Sequence, residues 1–271
     1  PTRASILTGK YPARLGLTDW LNGRPEHDFE KLRSAKFKKH LPFEEITLPE
    51  ELKIRGYNTA IFGKWHLGED PSGPLEHGFD FRLPKWNKCC PNKSYYSPFG
   101  LDGLEDSKGD YLTDRLTDEA LKYIEENKDQ PFFLYLSHFA VHDPIHGRPD
   151  LVEKYKNKLK KRNRTIDEQF VLEGNPDDLD PLSAKDLKRL IKQSTHEGYK
   201  VLPQRTVKIK QYQDNIHFAA MVESVDESLG RVIGKLKDLN LEKNTIVIFF
   251  SDNGGMSAAN FGSPNRVISS S

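Results

Sequence analysis

A lysine and a histidine lie two residues apart in a short segment flanked by glycines. The segment reads Gly63-Lys64-Trp65-His66-Leu67-Gly68, and it follows the apolar run 57–62. A cation and a titratable hydrogen-bond donor on one compact turn are suited to the oxygens of a sulfate or phosphate group. The segment therefore predicts an oxyanion site. A surface lysine beside a buried histidine is the alternative interpretation.

Polar groups also follow two other apolar runs. His142 comes shortly after residues 131–136, and Asp252 and Asn253 come directly after residues 245–250. Ligands of parallel α/β sheets bind beyond the carboxyl ends of the strands, so we expect these groups near Lys64. Asp252 and Asn253 carry hard oxygen donors that suit Ca²⁺ or Mg²⁺, although an ordinary turn has the same composition. His142 could equally be a structural histidine.

The apolar patterns predict an α/β fold with a mostly parallel central sheet flanked by helices. Thr2 is a candidate helix cap, and Thr47 with Glu50 forms a capping-box pattern. The uninterrupted run 245–250 is typical of a central parallel strand. Predicted helices cover residues 1–17, 47–56, 113–127 and 213–239, and predicted strands cover 57–62, 131–136 and 245–250.

Composition excludes several classes of protein. The chain has 271 residues, with 41 Lys and Arg against 40 Asp and Glu, a balance that does not suggest nucleic-acid binding. No apolar run approaches the roughly 20 residues of a membrane span. The two cysteines, Cys89 and Cys90, cannot form a disulfide framework. We interpret residues 150–210, which are polar and rich in lysine, as an insertion of helix and loops. The basic run 154–164 is either a solvated face or a rim for a polyanion.

Two stretches resemble the signatures of a known enzyme family. The first stretch is Pro1-Thr2-Arg3-Ala4-Ser5-Ile6-Leu7-Thr8-Gly9-Lys10. It resembles the first signature of the formylglycine-dependent sulfatases, and the 63–68 segment resembles their second. The resemblance implies an alkaline-phosphatase-like catalytic domain that hydrolyses sulfate esters. It also implies a formylglycine two positions before Pro1, on a residue outside this chain, and a divalent cation, usually Ca²⁺ with Mg²⁺ as the other possibility.

The resemblance also implies roles for individual residues. Arg3 would hold the formylglycine, Lys64 and His66 would contact the sulfate or the formylglycine hydroxyl, and His142 would contact the sulfate from a His-x-Pro segment. Asp252 and Asn253 would be metal ligands. We expect His138 to be structural. Three further residues are weaker candidates for the same pocket: Lys10, Asp143 and His146.

Taken with the resemblance, residues 1–271 correspond to part of a sulfatase catalytic domain, without the first strand and the C-terminal subdomain. We therefore expect the chain alone to be inactive. Expected partners are a sulfate ester, by preference a carbohydrate, and a formylglycine-generating enzyme. Family membership implies export, to the periplasm or medium in a bacterium and to the secretory pathway or lysosome in a eukaryote. Two alternatives stay open: a phosphatase or phosphodiesterase of the same superfamily, and a catalytically dead, glycan-binding relative.

Overall fold

A computed structural model describes residues 1–21, 23, 33–91, 93–161, 170–174, 183, 185–186, 189, 195–196, 199–200, 206–210 and 214–255. The chain divides into two compact units. The first contains residues 1–146 and 222–253, and the second contains residues 147–221 and 254–271. The expected insertion at 150–210 falls within the second unit but stays a prediction.

Helices and strands alternate through the first unit, as in other α/β proteins. Across the described residues of both units, the helices are α1 Thr2–Thr8, α2 Pro12–Leu15, α3 Leu48–Ile54, α4 Leu112–Glu126, α5 Pro149–Lys160 and α6 Ile216–Asp238, with 3₁₀ turns at Leu75–His77 and Glu242–Asn244. The strands are β1 Asn58–Gly63, β2 Phe81–Leu83, β3 Phe132–Ser137, β4 Phe170–Gly174, β5 Thr195–His196, β6 Tyr199–Lys200 and β7 Thr206–Lys210.

The sheet of the first unit is parallel, with the strand order β2-β1-β3. The register of β1 on β3 runs from Asn58 opposite Phe132 to Gly63 opposite Ser137. Both strands therefore end at the same edge of the sheet, so the segments that follow them start side by side. The predicted parallel sheet flanked by helices is confirmed for this unit.

Strand β1 is exposed at Asn58 and buried from Thr59 to Gly63, and its apolar residues Ala60, Ile61 and Phe62 are covered on both faces of the sheet. Ile61 belongs to a buried cluster on one face, and Ala60 and Phe62 pack with Ala120 of α4 on the other. The first cluster contains residues of α1, α2 and the loops, namely Ala4, Leu7, Leu15, Leu17, Leu41, Trp65, Leu67 and Phe79. A parallel strand buried on both faces reads as a continuous hydrophobic run.

The ends of the helices test the sequence predictions. Thr47 caps α3, its hydroxyl accepting from the Glu50 backbone while the Glu50 carboxylate accepts from the Thr47 backbone, so the capping box is confirmed. The prediction for Thr2 is wrong. Pro1 takes the capping position, Thr2 lies inside α1, and α1 ends at Thr8 because Gly9 adopts the left-handed conformation.

The central strand predicted at 245–250 is also wrong. Within the described residues this segment joins no sheet, and Ile246 and Ile248 are 90% and 79% exposed. A buried parallel strand needs a hydrogen-bonded neighbour on each side. Among the described strands β3 pairs with β1 alone, and residues 245–250 pair neither with β3 nor with any other described strand.

The described strands of the second unit are antiparallel, unlike those of the first unit. Helix α5 opens it, β4 pairs with β7 in antiparallel fashion, and β5 pairs with β6 in the same way. The expected insertion thus contains strands as well as the predicted helix. Across the described ranges, no helix is both long and apolar enough to cross a membrane.

Candidate active site

Gly63 ends β1 with a turn at which the backbones of β1 and β3 approach each other closely. Its φ is 113°, and a Cβ built on it would lie 2.0 Å from the Ser137 carbonyl oxygen. The Lys64 amide donates to that same oxygen at 2.7 Å. Only glycine fits so close an approach at this φ. The turn fixes Lys64 directly beyond the sheet edge.

Arg3 connects three segments at this edge. Its Nη1 donates to the Lys64 carbonyl at 3.1 Å and to the Ser137 hydroxyl, and its Nε donates to Asp252 Oδ2 at 3.2 Å. The side chain is only 12% exposed. Helix α1 holds it there because Ala4 is buried in the apolar cluster. The structure thus brings together three predicted site residues, Arg3, Lys64 and Asp252.

The Lys64 ammonium is buried and lies near a second positive charge, and both conditions are unfavourable for a cation. Lys64 is 7% exposed, and burial, followed by the nearby charge of Arg3, lowers the pKa of its ammonium to about 8. The negative charge of Asp252 opposes this shift. At neutral pH Lys64 is still protonated, so it presents a poorly solvated positive charge that an oxyanion would stabilise.

His66 sits in the same electropositive environment. Burial, then the charges of Lys64 and Arg3, lower the pKa of its imidazole to about 3. The ring is therefore neutral at neutral pH and offers one donor and one acceptor rather than a charge. Its backbone has a positive φ of 55°, and its amide donates to the Asn87 carbonyl at 3.1 Å. A strained non-glycine residue of this kind is characteristic of functional loops.

His142 lies in the loop after β3 and is exposed. The charge of His142 is a smaller cause of the lowered His66 pKa than burial and the charges of Lys64 and Arg3. The fully buried Tyr95 donates its hydroxyl to the His142 carbonyl at 3.0 Å, and the His142 amide donates to the Phe139 carbonyl at 2.9 Å. The loop conformation around His142 is thus held by two backbone contacts.

The weaker candidates have contacts of their own. Lys10 forms an ion pair with Glu45, and His146 Nδ1 lies 3.3 Å from the Ser94 hydroxyl. His138 is partly buried, and its Nε2 hydrogen bonds with the Ser228 hydroxyl at 2.9 Å. Burial lowers the pKa of His138 to about 4. This environment matches the structural role expected for His138.

Asp252 and Asn253 offer a carboxylate and an amide oxygen, which is the donor chemistry of a hard cation. Ca²⁺ takes six to eight oxygen ligands at ordinary protein sites. Among the residues whose positions are described, no three of His, Cys, Asp and Glu lie close enough together to hold a metal ion. Asp252 also accepts from Arg3. These two residues can contribute to a cation site but do not complete one.

The sequence analysis did not identify three residues that contact the candidate site residues. Ser137 donates its hydroxyl to the Lys64 carbonyl at 2.7 Å, and its position at the carboxyl end of β3 could have identified it. Asn87 and Tyr95 lie in the long 71–109 loop region. Neither carries a motif or an apolar period, so only the fold shows that they support His66 and His142.

The sequence was also compared with known protein families and with characterised proteins. Residues 1–266 match the family described as Sulfatase. Relatives include mouse N-acetylgalactosamine-6-sulfatase, 29% identical over 98% of this chain and 43% of the relative, and Klebsiella aerogenes arylsulfatase, 26% identical over 96% and 57%. The Ulvan-active sulfatase of Formosa agariphila is 30% identical over 96% of this chain and 42% of the relative. The chain spans about half the length of such relatives.

Solved structures support the fold. Ps i-CgsB in complex with k-i-k-neocarrahexaose superimposes with a TM-score of 0.59 at 23% identity, over 97% of this chain and 50% of that one. BT4656 in complex with its substrate D-glucosamine-2-N,6-O-disulfate gives a TM-score of 0.52 at 23% identity, over 90% and 53%. At such identities the match concerns architecture. With the family match over nearly the whole sequence, it establishes that this chain belongs to the sulfatase family.

Proposed function

We propose that the whole protein hydrolyses sulfate esters of carbohydrates, that Lys64, His66 and His142 bind the sulfate group, and that Arg3 positions the start of α1 beside them. The observation that carries the proposal is Lys64, a buried ammonium whose pKa is lowered to about 8 at the edge of a parallel sheet. Such a group stores electrostatic free energy that is released when an anion binds. An anionic substrate is therefore the natural ligand.

The chemistry of the surrounding groups favours an ester oxyanion. Lys64 supplies the positive charge, and the neutral His66 supplies a directional donor. Arg3 is committed to the Lys64 carbonyl, Ser137 and Asp252, so we assign it a positioning role at the start of α1. Preorganised donors of this kind stabilise charge that develops on oxygen during ester cleavage.

Carbohydrate substrates are inferred from the relatives. Three of the proteins above have names or titles that refer to N-acetylgalactosamine 6-sulfate, ulvan and a disulfated glucosamine. A sulfated polysaccharide is a polyanion, and the basic helix α5, with Lys154, Lys156 and Lys158, would attract it to the protein surface.

The resemblance also implies a metal ion and a formylglycine nucleophile, and neither is among the described residues. We propose that Asp252 and Asn253 contribute oxygen ligands to a Ca²⁺ ion, which would supply positive charge next to the bound sulfate. The nucleophile would be a formylglycine that this chain does not contain, made by a dedicated modifying enzyme. Export of the protein belongs to the same proposal.

The test is hydrolysis by the whole protein. Sulfate release from sulfated mono- and oligosaccharides is compared with phosphate release from matched phosphate monoesters. We expect sulfate release to dominate. Lys64→Met should lower kcat/KM for the sulfate ester about 100-fold or more, the size of effect found when one preorganised oxyanion donor is removed. Lys122→Met is the matched control, because Lys122 is exposed on α4 and pairs with Glu119.

The outcomes separate the alternatives. Faster phosphate than sulfate release would identify a phosphatase of the same superfamily. Binding of a sulfated glycan without any release of sulfate would identify a catalytically dead relative. Equal loss of activity in Lys64→Met and Lys122→Met would contradict the role of Lys64.

A further inference from the structure

Two adjacent thiols lie beside the candidate active site and take no part in the proposed hydrolysis. Cys89 and Cys90 are the two cysteines of the sequence, both are partly exposed, and their Sγ atoms are 2.6 Å apart. A pair of free thiols at contact distance is a chemical unit, because oxidation of one places its sulfur within reach of the other.

The loop that carries this pair is attached to the site. The Asn87 carbonyl accepts from the His66 amide at 3.1 Å, and the Asn87 side chain donates to Asp70 Oδ1 at 3.2 Å. Trp86 Nε1 donates to the Cys90 carbonyl at 2.9 Å. These contacts tie the backbone before and after the dithiol to the loop that carries His66.

We propose that Cys89 and Cys90 form a reversible dithiol–disulfide site that reacts with low-molecular-weight disulfides. In the first step one cysteine thiolate attacks a sulfur of the small disulfide, forming a mixed disulfide and releasing one small thiolate. In the second step the neighbouring cysteine thiolate attacks the protein sulfur and expels the second small thiolate. Overall, two protein thiols become one disulfide, and one small disulfide becomes two thiols.

The adjacency of the two cysteines makes such a bond reversible. Consecutive Cα atoms are about 3.8 Å apart across a trans peptide, whereas disulfide-bonded cysteines usually have Cα atoms about 4.4–6.8 Å apart. A ring closed between neighbours is therefore strained, and strained disulfides are reduced easily. A bond of this type suits a switch better than a structural cross-link.

The surroundings of Cys90 disfavour its thiolate at neutral pH. Burial, followed by the hydrogen bond with Cys89, raises the pKa of the Cys90 thiol to about 11, with the charge of Lys64 opposing the shift. Because the thiolate is the nucleophile, attack by Cys90 is slow at neutral pH and accelerates in alkaline buffer.

The test treats the reduced full chain with glutathione disulfide at mildly alkaline pH. We expect the intact mass to fall by two hydrogen atoms, both free thiols to disappear, and dithiothreitol to restore them. Cys89→Ser and Cys90→Ser are the matched controls, and each should gain the mass of one glutathione instead. A wild-type chain that keeps both thiols, retains a bound glutathione or forms disulfide-linked dimers would overturn the proposal.

Tryptophan fluorescence provides a second measurement, which reports on the loop formed by residues 86–90. Because Trp86 contacts the Cys90 backbone, and disulfides quench nearby indoles, oxidation should lower the tryptophan emission of the wild-type chain. The Trp86→Phe variant should lose that response while still closing the disulfide. An equal decrease in emission in both proteins would contradict the placement of the pair beside Trp86. Neither readout depends on sulfate hydrolysis, so the two proposals can fail separately.

Discussion

The Arg3 guanidinium donates to the backbone carbonyl of Lys64 at 3.1 Å, across 61 residues of sequence. The two residues belong to the two stretches that resemble sulfatase signatures. The bond joins the start of α1 to the end of β1, and the Ser137 hydroxyl donates to the same carbonyl from β3. The two sequence signatures therefore form a single hydrogen-bonded unit, in which Arg3 organises the backbone that presents Lys64.

We expect Arg3→Met to destabilise the chain by about 2 kcal/mol, because it removes buried charge-assisted hydrogen bonds and leaves acceptors unsatisfied. Urea unfolding of the two proteins measures the difference. Arg55→Met is the control, since Arg55 is 61% exposed and pairs with Glu51 one helical turn away. Its effect should stay within about 0.5 kcal/mol. Similar losses for both variants would show that Arg3 has no special structural role.

Gly63→Ala should be more damaging than a glycine substitution at an open turn. The new methyl group would meet the Ser137 carbonyl at 2.0 Å, and neither backbone can yield without separating β1 from β3. We expect a loss of about 3 kcal/mol or more. Gly56→Ala isolates the cost of positive φ, because Gly56 has φ 81° and a methyl group added there would meet no atom within 4 Å.

Gly56→Ala should therefore cost only about 1–2 kcal/mol. Thermal or urea unfolding of both variants provides the comparison. If Gly63→Ala were no worse than Gly56→Ala, the close contact at the end of β1 would not be a determinant of the fold.

The apolar runs of the sequence predicted β1 and β3 of the sheet but were wrong for residues 245–250. The run of β1 was identifiable because both faces of that strand are buried, and the glycines around Lys64 and His66 mark the turn that follows. The run 245–250 is more apolar than β1 but joins no sheet among the described residues. Strand formation depends on a neighbour with free backbone groups, and a local pattern contains no information about that neighbour.

Residues from the long loops were the least predictable. Tyr95 supports the His142 carbonyl, and Asn87 accepts from the His66 amide. Both interactions use polar groups whose partners are distant in sequence or belong to the backbone. Such contacts leave no period and no motif, so they become visible only once the fold is known.

The lowered pKa of Lys64 predicts how sulfate binding depends on pH. The protonated amine binds the anion, so affinity should be constant below about pH 8 and fall as the ammonium loses its proton above that value. The decrease should approach about tenfold per pH unit. Titration calorimetry with inorganic sulfate measures it. Lys64→Met should bind weakly at every pH, and Lys122→Met should keep the wild-type profile.

An ordinary exposed lysine has a pKa near 10.5, so a sulfate affinity that begins to fall only above about pH 10 would contradict the assignment of Lys64 as the binding cation. His66 should add no inflection near pH 6.5, because its pKa is lowered to about 3.

Stability should fall in acid because of His138. Burial lowers the folded-state pKa of this histidine to about 4, below the ordinary value of 6.5. Between these values the unfolded chain binds a proton that the folded chain does not, so the free energy of unfolding decreases as pH falls from about 6.5 towards 4. The contribution of His138 at about pH 5 should be near 2 kcal/mol.

The His138→Gln variant tests this contribution, because it keeps a polar side chain that does not titrate. Urea unfolding at about pH 7.5 and pH 5 should show a smaller acid-induced loss in the variant than in the wild type. Identical losses in the two proteins would place the acid sensitivity elsewhere in the chain.

The apolar segment 245–250 should make the chain prone to self-association. Its side chains Ile246, Ile248 and Phe249 are 90%, 79% and 67% exposed, and its backbone joins no sheet in the described part of the chain. An extended, uncharged apolar run with unpaired backbone groups is a template for intermolecular strand pairing. We expect the average molecular mass measured by light scattering to rise with the concentration of the chain.

Replacing Ile246 and Ile248 by lysine should suppress this association without lowering the free energy of unfolding, since neither side chain is buried. Ile54→Lys is the control, because Ile54 is equally exposed at 79% but stands at the end of α3, outside any apolar run. Association that persists in the double variant, or that disappears equally in Ile54→Lys, would mean that residues 245–250 are not the contact segment. Suppression in the double variant alone would locate the self-associating segment of this chain next to Asp252, which Arg3 joins to the backbone of Lys64.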